Sequence, residues 1–143
     1  MAVVFTSASI QILTKKMTTT EYKTPKLTLF VKDQYILAVA NENTTISESE
    51  MSFLSTVAKK HFSGPFGVIE VRDKNISIDP ELHAKAKQAI PNFAAYALVT
   101  NRVSAIKSLE NEEAFMKYEK FRLCSSIEEA TEWMNFILPE SAS

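Results

Sequence analysis

LTLFVKDQYILAVA, residues 27–40, is the stretch on which the fold turns. Leu27, Leu29 and Val31 alternate with Thr28, Phe30 and Lys32, the two-residue period of a half-buried strand. Asp33 and Gln34 supply a turn, and Ile36 to Ala40 is a continuous apolar run. The stretch therefore predicts a β-hairpin. A second strand that is apolar on both faces belongs inside a sheet and not at its edge.

On the C-terminal side, Asn41 to Ile46 reads as polar loop. Ser47, followed three residues later by Glu50, has the form of a capping box, so a helix is expected from there. Met51, Leu54, Ala58 and Phe62 repeat at helical spacing with Lys59 and Lys60 outside. Ser63-Gly64-Pro65 ends it, and Phe66 to Arg72 (FGVIEVR) is the next strand. Asp79 as N-cap and Pro80 in the first helical position open a second helix, with Leu82, Ala86, Ala89 and Ile90 inward. Ala94 to Thr100 is a buried strand. A third helix is expected from Arg102 to about Lys117, inward through Val103, Ile106, Leu109 and Phe115, with Asn111 a candidate break. Phe121 to Cys124 is a short strand. Ser125 with Glu128, or Ser126 with Glu129, caps a last helix whose inner face is Ile127, Ala130, Met134, Ile137 and Leu138. Strands alternating with single helices predict an α/β fold. Its mixed, mostly parallel sheet has four to five strands, with helices near 47–62, 80–90, 102–117 and 126–138 packed on it.

On the N-terminal side, residues 1–25 read as an extension or an edge strand, with short strands suggested at Val3–Phe5 and Ile10–Leu13. Residues 26–139 form one domain and 140–143 a tail. Met17 is a second candidate initiator. The 143 residues are 45% hydrophobic and 23% charged, enough for one globular core. A net charge of -1 argues against nucleic acid as a partner. The single cysteine, Cys124, forbids an internal disulfide, and no run of about 18 apolar residues offers a membrane span, so a cytoplasmic protein is expected. Charge is uneven: residues 1–32 hold five Lys and one Glu, a net +4, while 126–143 hold four Glu and no base, a net -4. Opposite ends of this kind, with the apolar residues near the start, suggest a homodimer.

No catalytic centre is expected. Two glycines, Gly64 and Gly67, are too few for a phosphate-cradling loop, so no cofactor is expected. Two histidines without clustered partners do not make a zinc site, so no metal is expected either. Cys124 with His61 or His83 would form a thiol pair only if the fold brought them together. A parallel sheet gathers its strand C-termini along one edge, where open α/β proteins bind ligands. That edge carries Arg72, Asp73, Asn101 and Arg102, the candidate ligand-binding set, two of them cations suited to an anion. Glu112-Glu113 and Glu128-Glu129 read as solvated helix faces or first-turn partners of the helix dipole. Phe115, Tyr118 and Phe121 read as a core stripe. If the third helix ends early at Asn111, they instead cover a pocket or a partner.

Buried strand AYALVTN, a helix, a short strand and then SIEEATEWMNFIL, with Glu128, Glu129, Ala130 and Trp133 in the closing helix, make a pattern. Together with the hairpin, the capped helix and FGVIEVRD, it resembles small bacterial STAS-like proteins. These are relatives of the anti-sigma-factor antagonists, some grouped with lipid-binding CRAL-TRIO domains. The resemblance spans roughly Lys26 to Leu138. It implies a binding or regulatory module for a protein partner or a small ligand. Phosphorylated antagonists carry an Asp-Ser-Ser-Gly type motif where Arg72 to Asp79 stand here. Asp73 matches the acid and Ser77 is the nearest hydroxyl, the candidate phosphoacceptor, but the serine pair and the glycine are missing. Three functional expectations follow: a non-enzymatic STAS-like module, an enzyme using the strand-end polar cluster, or a carrier of a small apolar ligand.

Overall fold

The computed structural model describes residues 20–41, 43–73 and 76–138. The strands suggested at Val3–Phe5 and Ile10–Leu13, and the tail at 140–143, lie outside these. The chain is a mixed α/β fold. Its strands are β1 (Thr20–Lys23), β2 (Leu27–Val31), β3 (Tyr35–Ala40), β4 (Thr44–Ile46), β5 (Phe66–Val71), β6 (Ile76–Ile78), β7 (Phe93–Val99) and β8 (Lys120–Cys124). Its helices, numbered here from the first described, are α1 (Glu48–His61), α2 (Leu82–Ala89), α3 (Val103–Glu113) and α4 (Ile127–Ile137).

The principal sheet has six strands in the order β1-β2-β3-β5-β7-β8, one or two more than expected. Thr20–Lys23 adds the extra edge, pairing antiparallel with β2. β2 and β3 form the expected hairpin, and the three remaining pairings, β3 with β5, β5 with β7 and β7 with β8, are parallel. Two three-residue strands were not expected, β4 in the stretch read as polar loop and β6 just before Asp79; they pair in parallel as a separate ribbon. Strands this short carry too little periodicity to stand out in sequence.

Alternation along β5 and β7 divides the core in two. On one face Phe66, Val68, Tyr96 and Leu98 meet Leu54, Val57 and Ala58 of α1, Leu82 and Ala86 of α2, and Leu109 of α3. On the other, Ile69, Val71, Ala95, Ala97 and Val99 meet Ala130 and Met134 of α4. The first three helices, which join parallel strands, thus cover one face, and the helix that follows the edge strand β8 covers the other.

The caps decide where helices begin. Ser47 donates from its N–H and its hydroxyl to the Glu50 carboxylate, at 2.8 and 2.9 Å. Ser126 Oγ accepts from the Glu129 N–H at 3.1 Å, which selects that pair over Ser125 with Glu128. The second helix departs from expectation. Asp79 accepts from the Glu81 N–H at 3.1 Å and closes a turn, so the helix proper starts at Leu82. The third departs further. It stops at Glu113, and its buried residues are Ala105, Leu109 and Glu112, while Val103 is 67% exposed and Ile106 40%. A polar residue on the inner face, Glu112, disguised the phase of this helix.

Candidate functional site

The site grows from the end of β5. Glu70 lies in the strand and Arg72 follows its last residue, Val71; two apart, their side chains leave the same face of the sheet. That face is covered, and Arg72 is 1% exposed. A charge in such a place requires partners. Arg72 Nε donates to Glu70 at 2.8 Å, Nη1 to Glu112 at 2.6 Å, and Nη2 to Glu112 at 3.0 Å and Glu70 at 3.1 Å. One guanidinium therefore bridges a strand carboxylate and a helix carboxylate.

The network continues outward from both acids. The Tyr96 hydroxyl, from β7, donates to Glu70. Ser108, one turn before Glu112, donates to it at 2.8 Å. His83 of α2 donates from Nε2 to Glu112 at 2.8 Å, and its Nδ1 meets the Tyr118 hydroxyl at 2.8 Å. Tilted rings pack around this chain: His83 lies 5.3 Å from Tyr96 and Tyr118 lies 5.0 Å from Tyr96, centroid to centroid. Among the described residues no buried side-chain nitrogen or oxygen lacks a partner.

Burial alone would raise the Glu112 carboxyl, but hydrogen bonds from His83 and Arg72, the Arg72 charge and Ser108 override it and hold the group at about 2. Burial would likewise lower Arg72, yet Glu70 and Glu112 keep it firmly charged. Burial and the Glu70 charge push the Tyr96 and Tyr118 phenols upward, and Glu112 adds to the rise at Tyr118. Both phenols stay protonated.

Beside this network lies a cavity of about 60 Å³, partly open to solvent. Its cause is visible in β3: where Ile36 fills its place, the next inward residues are Ala38 and Ala40, and Leu54 and Met51 of α1 do not close the space above them. Leu27, Leu29, Val68, Phe93, Leu82 of α2, Ile46 of β4 and Ile78 of β6 complete an apolar lining. The polar members are Glu50, Glu70, His83, Tyr96 and Tyr118. The space is apolar with a few polar groups on its wall, and its volume equals about two waters' share of liquid.

The residues singled out in the sequence do not share one place. Asp73, Asn101 and Arg102 are exposed at the strand ends, where Asn101 Nδ2 donates to the Ser125 carbonyl at 3.2 Å. Arg72 keeps only its backbone there, with its carbonyl accepting from Thr100 Oγ1 at 2.6 Å, while its guanidinium turns inward. Ser77 is exposed on β6, its hydroxyl 2.9 Å from that of Thr45 on β4. Cys124 is buried in the other half of the core, its thiol pushed up by burial and by Glu129, away from His83 on the first face. His61 pairs instead with the Tyr22 hydroxyl at 2.7 Å. Glu112, expected on a solvated face, is fully buried. Tyr118 follows the alternative tied to an early helix end, since it lines the cavity, whereas Phe115 is 37% exposed.

Glu70, His83 and Glu112 were missed as a set. A Glu and an Arg two apart in an otherwise apolar strand was the available signal, because buried like-facing charges imply a pair. Among the described residues no helix is long and apolar enough to cross a membrane, and no His, Cys, Asp or Glu cluster is arranged to hold a metal ion. No family model matches the chain, and no curated protein does either.

Proposed function

We propose that the chain is a non-enzymatic, STAS-like binding module that holds a small, largely apolar molecule between the sheet and its first two helices. The observation that carries this is the cavity above Ala38 and Ala40, lined by leucine, isoleucine, valine and aromatic side chains. The STAS-like assignment draws its support from the order of elements, a hairpin followed by strand–helix repeats and a closing helix on the far face. A carrier role and a regulatory role both follow from occupancy of the cavity. The test is a titration with ethanol, whose two carbons match the space, followed by methyl NMR. Leu27, Leu29, Leu54 and Val68 methyls should shift while Val99, in the other half of the core, stays. Ala38→Leu, which fills the space, should abolish the response in a folded protein.

A second reading, an enzyme, is favoured by one observation: Tyr118, His83 and Glu112 form a hydrogen-bonded acid–base chain at the cavity wall. It ranks second because Glu112 is held ionised by His83, Arg72 and Ser108 and the Tyr118 phenol is held protonated, so neither is poised to trade a proton with a substrate. Self-association belongs to the same proposal. The opposite charges of the two ends suggest it, and Phe136 on α4, 87% exposed, adds an apolar anchor for a second copy.

A further inference from the structure

Resting on the cavity as a binding site, a second question is which head group its occupant carries. Charge answers it. Glu70 and Glu112 share a single guanidinium, so two carboxylates face one cation across the network. The acids on the cavity lining are Glu50 and Glu70, and Glu112 is joined to the lining through His83. Among the described residues no lysine or arginine lines the cavity, and Arg72 spends its donors on Glu70, Glu112 and the Tyr96 oxygen. An entering anion would meet acids and no free cation.

Hydrogen-bond direction points the same way. Glu112 is an acceptor, so His83 Nε2 must carry a proton. Nδ1 and the Tyr118 hydroxyl share the remaining hydrogen bond of that ring, at 2.8 Å. Glu70 and Glu50 offer only lone pairs. The acids of the wall accept and do not donate.

We propose that the cavity selects a small branched or short apolar molecule with a hydrogen-bond-donating head, an alcohol or a protonated amine, and rejects carboxylic acids of the same body. Burial raises the Tyr96 and Tyr118 phenols, and the Glu70 charge adds to the rise.

Three probes share a two-carbon body: ethylamine, ethanol and propionate at neutral pH, each titrated into the full chain and read by the methyl signals of Leu29, Leu54 and Val68. The amine and the alcohol should bind, and the amine at least about tenfold tighter than propionate, the order expected from a like-charge contact at the dielectric of a protein wall. Glu70→Gln should narrow that ratio if it unfolds cooperatively; if it does not fold, the wild-type ratio decides. Propionate binding as tightly as the amine would overturn the head-group assignment while leaving the cavity a binding site. No methyl response to any of the three would remove both.

Discussion

Arg72 donates to both carboxylates that flank it and is almost wholly buried, so it is the residue whose removal leaves most undone. Arg72→Met would leave two buried acids facing each other without a cation. Breaking a buried pair in this way costs about 3–5 kcal/mol, and urea denaturation should show a loss of that size. Glu112 adds a pH test. Its folded value of about 2 lies below its ordinary 4.5, so its stabilisation is fully present above about pH 4.5 and drains away as pH falls toward 2. That difference corresponds to about 3 kcal/mol. Glu112→Gln should therefore trail the wild type by about 3 kcal/mol at pH 7, and the gap should close below pH 4. A gap that is constant with pH would contradict the ion-paired assignment. At this scale the sequence spoke unevenly. Ser47, Glu50, Ser126 and Glu129 were legible because capping chemistry is local. The Glu70–Arg72–Glu112–His83 set was not, because it is drawn from β5, α2 and α3, and only tertiary packing brings those together.

Among the elements, β5 lies so close to α4 that a Cβ on Gly67 would press into the Met134 side chain and stand 3.1 Å from the Ala95 carbonyl oxygen. Gly67→Ala should cost about 1–3 kcal/mol by overpacking. In the presence of Met134→Ala the added cost should fall, since the obstructing sulfur is gone, and a double-mutant cycle in urea reads that coupling. The β4–β6 ribbon makes a quieter prediction. The Ser77 hydroxyl bonds Thr45 in solvent, where water replaces either partner, so Ser77→Ala should change stability by less than about 1 kcal/mol and leave ligand binding intact. Recovery of stoichiometric phosphate on Ser77 from cells would show a role for that hydroxyl beyond this bond. Element existence was readable wherever apolar period and caps agreed, as in β2, β3 and α1. It failed where they conflicted. In α3 the apolar residues Val103 and Ile106 suggested one face, but Ala105, Leu109 and Glu112 took the core, because the buried acid satisfies Arg72.

At the scale of the whole molecule, alternating strands and helices were enough to read a mostly parallel sheet, since right-handed crossovers leave few other arrangements. The cavity was not readable. It depends on two alanines in β3 lying opposite leucines of β2 and under α1, a coincidence of register and helix placement. If a second copy docks through the anchor on α4, Phe136→Ser should lower the mass seen by light scattering at tens of micromolar while leaving the unfolding transition in place, because an 87% exposed ring contributes little to the monomer. An unchanged mass would remove Phe136 from any interface. The cavity itself is open to a direct look. Crystals pressurised with xenon should show a xenon peak among Ala38, Leu54, Val68 and Phe93, a polarisable apolar atom occupying an apolar space. A density map with those side chains collapsed onto one another, or with the space holding only a hydrogen-bonded water chain and no xenon, would contradict a site built for a small apolar ligand.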